Sequence, residues 1–396
     1  MDSQRKSKRS EEIEITKKAK QKEKSCGKKG KMKMEKKNKW IKRAVIILAV
    51  AAVLIIMVQV LKTQMFPPYE GLPVSGSYTV ETQTFTWEDT SRIETFTDTG
   101  ENRALTVSFW YPSEEGKYPL VVFSHGAFGV IDSNYSTYTE LASNGYVVAS
   151  IGHPYHAMFV EDVNGKTTMV DMEFLQQVYS DNGEYSEEAE RRVYEFSQEW
   201  MELRTADMNF VVDTILAEAE QAADRSSEKV FASIDTTKIG LMGHSMGGAT
   251  AVQLGRERND ITAVIDLEGT MMGEYVGFEN GYELYNEEPY PIPVLDVNSK
   301  AVREDIDALE AEHSGWEYVN DYLGKNAADY REVIFNDAGH LNFTDLPLIA
   351  PPLAGLLGVG EVDAEECIKN VNEVVLTFFD YYLKGEGSLE TIKVEY

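Results

Sequence analysis

Apolar and polar positions fall into three regimes along this chain. Residues 1–43 are rich in Lys and Glu with scattered apolar residues; Ala44–Leu61 (AVIILAVAAVLIIMVQVL) carries no charge and only Gln59 as a strongly polar residue; the remainder alternates short apolar runs with amphipathic ones. At 1.5 Å per residue the middle stretch makes a helix of about 27 Å, close to the hydrocarbon thickness of a bilayer. It predicts a transmembrane anchor. The Pro67-Pro68 pair ends that helix, residues 62–75 read as a short stalk, and the folded body begins near Gly76.

Within that body, Val- and aromatic-rich runs predict strands at Arg103–Tyr111, Tyr118–Ser124, Gly145–Ile151, Lys238–Gly243, Ile261–Leu267, Ile292–Val297 and Arg331–Asn336. Helical periodicity marks Tyr135–Asn144, Glu187–Gln221, Gly247–Glu257 and Ala364–Leu383. Continuous apolar strands alternating with helices specify an α/β fold, a mainly parallel sheet covered by helices on both faces. There is no solenoid-type repeat, and one catalytic domain over 76–396 accounts for the pattern. Two polar insertions, Val160 to about Tyr194 and Thr270–Tyr290, follow strand ends on the side where ligand crevices form.

Charge adds a direction to the anchor. The chain totals −28, but residues 1–43 hold 18 Lys/Arg against 6 Asp/Glu, which leaves +12 there and −40 for the rest. So acidic a body repels phosphate backbones, which excludes nucleic acid as a partner. The Lys-rich side of a membrane span stays cytoplasmic, with Trp40, Lys42 and Arg43 as interfacial anchors, so the acidic domain lies outside the cell. The long basic region, the length of the apolar run and the lack of an A-x-A site favour an uncleaved anchor over a signal peptide. The tail itself is expected to be disordered in isolation and drawn to anionic lipid. Cys26 and Cys367 fall on opposite sides of the membrane, so no intrachain disulfide is expected.

The strongest chemical signal is Gly243-His244-Ser245-Met246-Gly247-Gly248, after an apolar strand and before a small-residue helix. A serine hydroxyl needs a sharp turn and an adjacent base to act as a nucleophile, and the glycines leave room for that turn. Ser245 is the candidate nucleophile, with His244 read as packing. The tetrahedral oxyanion needs two N–H donors: Met246 supplies one, and the loop Ser124–Gly129 after the strand Tyr118–Phe123 supplies the other at Ala127. His125 and Phe128 in that loop are candidates for the pocket wall. Of the histidines after Ser245, His340 lies in a loop following a strand, where a triad base belongs, whereas His313 lies in a charged helical stretch. The acid that orients the imidazole falls by position on Asp266 or Asp305, with Glu268 and Asp296 close by.

These motifs resemble the plasma-type platelet-activating factor acetylhydrolases. The likeness covers about Ala104–Leu383 and rests on VVFSHGAFG, LASNGYVVASIGHPYHA, KIGLMGHSMGGATAVQL, AVIDLEG and AGHLNFTD. It implies an α/β-hydrolase fold and a serine esterase, here in a membrane-anchored form, that cleaves short or oxidised acyl chains from phospholipids without calcium. It maps the acid onto Asp266. Where that family has an aromatic residue two positions beyond its acid, this chain has Glu268, beside the acyl pocket or His340. Elbows with Met after Ser also occur in bacterial polyester hydrolases and dienelactone-hydrolase-like esterases, and an acyltransferase acting on cell-envelope alcohols would use the same residues.

The chemistry calls for no cofactor. His153 and His156 look like a metal pair, but Pro154 prevents helical presentation and no third ligand follows, so no metal site is expected; His153 reads instead as pocket wall. Phe343 beside His340 is a further pocket candidate. The apolar segment Leu346–Val359 reads either as an acyl-binding rim that could dip into a membrane or as a buried connection.

Overall fold

The computed structural model describes residues 2–180, 186–222, 229–313 and 315–396, so the part of the first insertion at 181–185 lies outside the described residues. The chain divides into two compact units, Met1–Pro67 and Pro68–Tyr396. The first is a single helix, α1 (Asp2–Met65), in which Val45–Met65 is long and apolar enough to cross a membrane. Its basic part is helical, not the disordered arm expected from its charge. Lys, Glu, Gln and Met are strong helix formers, and Lys18 pairs with Glu14 one turn away at 3.0 Å. The helix stops just short of Pro67-Pro68.

The second unit is built on eight strands: β1 (Val80–Ile93), β2 (Asn102–Pro112), β3 (Tyr118–Ser124), β4 (Val147–Gly152), β5 (Ile234–His244), β6 (Ala263–Leu267), β7 (Val294–Ser299) and β8 (Tyr330–Phe335). They lie in the order β1-β2-β4-β3-β5-β6-β7-β8. The strand β2 is antiparallel to both its neighbours, and all pairs from β4 to β8 are parallel. This is the α/β-hydrolase arrangement that the sequence implies. Chain order reverses at β3, with β4 on one side and β5 on the other, so a crevice opens beyond the C-terminal ends of β3 and β5.

Alternation along the strands divides the core between two faces. Leu120, Val122, Ile239, Leu241 and Val264 point to the face covered by α4 (Glu187–Ala222) and α5 (Met246–Glu257). Val121, Phe123, Met242, Ile265 and Leu267 point to the face covered by α2 (Tyr135–Ser143) and α6 (Ala364–Phe379). The remaining short helix that matters below is α3 (Met172–Val178), capped by Asp171 and set in the first insertion after the hairpin Phe159–Glu161/Thr167–Met169. The second insertion folds as the hairpin Tyr275–Glu279/Tyr282–Tyr285. The segment after His340 forms two short helices, Leu346–Ile349 and Pro351–Leu357, each with Pro in its first turn; Leu348, Ala350 and Ala354 are buried and Leu356 is 78% exposed, so the segment is a buried connection that opens to solvent at its C-terminal end.

Candidate active site

The junction of β5 and α5 sets Ser245 apart from its neighbours. Its backbone, at φ 55° and ψ −128°, lies outside the regions open to most side chains, and it is partly exposed between buried His244 and Met246. Its N–H donates to Leu267 O at 2.8 Å, tying the turn to the end of β6. The glycines make the close approach possible: a Cβ on Gly247 would collide with the Ser124 carbonyl, and one on Gly248 with Asp266 Oδ1. The N-terminus of α5 therefore sits directly on the ends of β3 and β6. Among the described residues, neither Met246 N–H nor Ala127 N–H has a backbone acceptor outside the helices and strands, so both are open to an external acceptor.

His340 opens a short 3-10 turn, His340–Phe343, after β8. Its side chain is 43% exposed, and its Nδ1–H donates to Glu268 Oε2 at 2.7 Å. The other carboxylate oxygen of Glu268 accepts from Ser299 N–H at 2.7 Å, which fixes the carboxylate from behind. His244 has a role that its place inside the motif concealed. Burial holds its imidazole well below the usual histidine range, and its Nε2–H donates to the His340 carbonyl at 3.0 Å with the two rings 4.6 Å apart. It anchors the backbone of His340.

Asp266 does not reach His340. It lies inside β6 in phase with Val264, so its side chain points towards the α4/α5 face, where Oδ1 accepts from Gly269 N–H at 2.9 Å and Oδ2 has no hydrogen-bond partner among the described residues. It is the register partner of Asp296 on β7. Burial, reinforced by the Asp296 carboxylate, pushes the Asp266 carboxyl well above its usual range; burial also raises Asp296, whose Oδ2 accepts from Tyr330 and Asn320. Glu268 is the first residue past the strand, turned out at φ 54°. Asp305, the other positional candidate, is exposed on the helix Lys300–Glu312.

The structure thus brings Ser245 and Met246 to the end of β5, joins His340 to Glu268, and separates the other candidates. Phe128, at φ 62°, stacks on Tyr179 and packs on Phe174. With Ala127 and Trp200 it belongs to the apolar cluster around Met246. A cleft of about 840 Å³ lined by Phe96, His156, Phe174, Gln177 and Trp200 adjoins that cluster through Phe174 and Trp200. Phe343 is instead fully buried against Phe335, and His125 and His153 are fully buried in the interior. These three do not line an open pocket.

A second Ser–His–carboxylate chain occupies that interior. Ser124 Oγ lies 3.0 Å from His153 Nε2, and His153 Nδ1 lies 2.9 Å from Asp207 Oδ2. Asp207 also binds Arg103 and Arg92, and all three members of the chain are inaccessible to solvent. Burial and the nearby Arg204 push the His153 imidazole down to about 3, so it is neutral near pH 7. The sequence places Ser124 in a loop, His153 in a pocket wall and Asp207 only within a helix; the pairing spans too much chain to be seen from spacing.

Comparison with known proteins adds the family. A family model described as platelet-activating factor acetylhydrolase, isoform II, matches residues 96–390. The platelet-activating factor acetylhydrolase of Cavia porcellus is 25% identical over 275 residues, 67% of this chain and 58% of that protein. That of Bos taurus is 25% identical over 281 residues, 67% of this chain and 57% of that protein. The chain therefore spans less than two thirds of the length of these relatives. Among solved structures, the ferulic acid esterase from Streptomyces cinnamoneus matches with a TM-score of 0.60 at 22% identity, covering 81% of this chain and 95% of that one, a likeness of fold. With well over half of its length matched by the family model, the chain belongs to the platelet-activating factor acetylhydrolase isoform II family.

Proposed function

We propose that this protein is a serine carboxylic ester hydrolase acting on short-chain, lipid-like esters, phospholipids among them, through Ser245, His340 and Glu268. The observation that supports the reading is a strained, partly exposed serine at the β5–α5 turn next to His244, whose ring donates to the carbonyl of His340, a half-exposed histidine whose Nδ1 is held by a fixed carboxylate. Ser245 Oγ attacks the ester carbonyl as His340 Nε2 takes its proton, and Glu268 holds the imidazole in the required tautomer. The Met246 and Ala127 N–H groups receive the oxyanion. His340 then protonates the departing alcohol, and water, activated by the same imidazole, releases the acyl group from Ser245. No metal or cofactor enters these steps.

The lipid-like substrate is supported by the family, by the membrane-length helix Val45–Met65 and by the apolar cluster of Phe128, Phe174 and Trp200 around Met246. In this reading Ala44–Leu61 spans the cell membrane once, with the basic tail cytoplasmic and the catalytic domain outside.

A second reading takes Ser124–His153–Asp207 as the triad, because its hydrogen bonds are continuous. Its serine is sealed at the end of β3, and a histidine that stays neutral down to about pH 3 is too weak a base for work near neutrality. The test is turnover of nitrophenyl esters of increasing acyl length, beside short- and long-chain phosphatidylcholines, by the full chain in detergent micelles. Highest kcat/KM for short acyl chains is expected, with activity abolished in Ser245→Ala. Retained activity in that variant, or a preference for long acyl chains, would contradict the reading.

A further inference from the structure

The buried residues that imitate a triad converge on the loop carrying Ala127. Every turn of that loop is tied to the interior. Ser124 Oγ–H donates to His153 Nε2, His125 Nδ1–H donates to Gly126 O at 2.7 Å, and His153 N–H approaches His125 Nε2 at 3.5 Å. Phe128 N–H donates to His156 O at 2.9 Å, and Met158 N–H to Gly129 O at 3.1 Å. From α4, Arg204 Nη2–H donates to the carbonyl of His125.

Arg204 stands out among these groups. It is fully buried, and among the described residues neither Nε nor Nη1 has a hydrogen-bond partner. A guanidinium in that state is costly, since each unmade bond leaves a desolvated donor. Burial and the neighbouring Arg103 lower its pKa to about 9, against the opposing pull of Asp207, so it remains a cation near neutrality. Its position is not explained by its own satisfaction. It is explained by what it grips: the His125–Gly126 peptide is planar, so fixing its carbonyl also fixes the direction in which the chain leaves towards Ala127. One turn of α4 further on, Asp207 holds His153, which holds Ser124 at the other end of the same peptide pair. Arg103 closes the set, bound to Asp207 and to Glu94.

We propose that Arg204 is a positioning residue for the oxyanion loop, and that Ser124, His153, Asp207 and Arg103 form the brace that holds the loop's base while Arg204 sets its direction. The proposal rests on Ser245 as nucleophile and Ala127 as an oxyanion donor. Arg204 touches no reacting atom. Its effect reaches the transition state only through the Ala127 N–H, so its loss should lower kcat for correctly folded enzyme and leave KM alone.

The test uses the full chain in detergent, with kcat expressed per active site titrated by a fluorophosphonate, so that misfolded protein drops out. In Arg204→Met, kcat per titrated site should fall about 10- to 100-fold with KM unchanged. The inhibition constant of a trifluoromethyl ketone, whose hemiketal oxyanion occupies the same site, should rise by the same factor. Arg204→Lys, which keeps a cationic donor, should recover most of the loss. Ser124→Ala, a small change that serves if Arg204→Met does not fold, should lower kcat per site by about 3- to 10-fold, again with KM unchanged. Turnover per titrated site within twofold of wild type in Arg204→Met, or in Ser124→Ala where that variant decides, overturns the proposal; so does a rise in KM alone. Failure of the underlying reading looks different: Ser245→Ala would still take up the fluorophosphonate.

Discussion

Two sets of serine, histidine and carboxylate lie in one domain, and they differ in exposure and in how far hydrogen bonds join them. In the interior, Ser124, His153 and Asp207 are joined by complete hydrogen bonds, locked by arginines and closed to solvent. At the crevice, His340 and Glu268 are joined and the serine stands apart on a strained turn beside two amides that have no backbone acceptor among the described residues. On the proposed reading, hydrogen-bond continuity is a poor marker of a nucleophile. A catalytic serine needs an approach path, a base that can hold a proton near neutral pH and donors waiting for the charge that develops. On the proposed reading the inner chain, sealed from solvent and with a histidine that stays neutral near pH 7, serves as framework.

The largest effect that would break this contrast is on the serines themselves. Ser245→Ala should lower kcat/KM for a nitrophenyl ester by at least about 10⁴-fold, while Ser124→Ala stays within about tenfold. Equal losses would make the two chains equivalent. Next come the carboxylates. Glu268→Gln should cost about 10²- to 10⁴-fold in kcat by disturbing the His340 tautomer, and Asp266→Asn should remain within about threefold, because Asp266 faces α5 and not His340. The reverse order would return the orienting role to Asp266.

The acid is also where the sequence was least legible. The run AVIDLEG offers two carboxylates two residues apart, and what separates them is where β6 ends: Asp266 shares a face with Val264, whereas Glu268 has already left the sheet at positive φ. A two-residue difference at a strand end lies below what pattern reading resolves. The elbow and the His340 loop were legible because strand, turn and helix follow one another within a few residues around them. The interior chain was not, since its partners lie 29 and 54 residues apart and meet only once α4 has packed on the sheet. His125 and Phe343 were taken for pocket wall because they adjoin motif residues, yet both turn inward.

Stability against pH sharpens the contrast further. Burial lowers the pKa of His125, His153, His156 and His244, so each is neutral when folded and binds a proton when unfolded below about pH 6.5. The unfolded chain then holds more protons, so stability is lost as pH falls through that window, by about 1.4 kcal/mol per pH unit for each histidine. Denaturant unfolding at pH 7.5 and 5.5 measures it, and a flat profile would contradict the burial of the inner chain. The smallest effect has the opposite sign. The raised pKa of Asp266 contributes stability that is full below about pH 4 and lost as pH rises through its folded value, so Asp266→Asn should gain stability over wild type at pH 8 relative to pH 4. The same denaturation series checks it, and a loss at pH 8 would show that Asp266 is needed as a carboxylate.

The most direct measurement is the site of covalent labelling. After reaction of the full chain with a fluorophosphonate and proteolysis, mass spectrometry should place the phosphonyl adduct on Ser245, in the peptide containing Gly243–Gly248, and His340→Asn should slow its formation. An adduct on Ser124, or labelling undiminished in Ser245→Ala, would contradict the assignment of catalysis to the strained serine at the crevice.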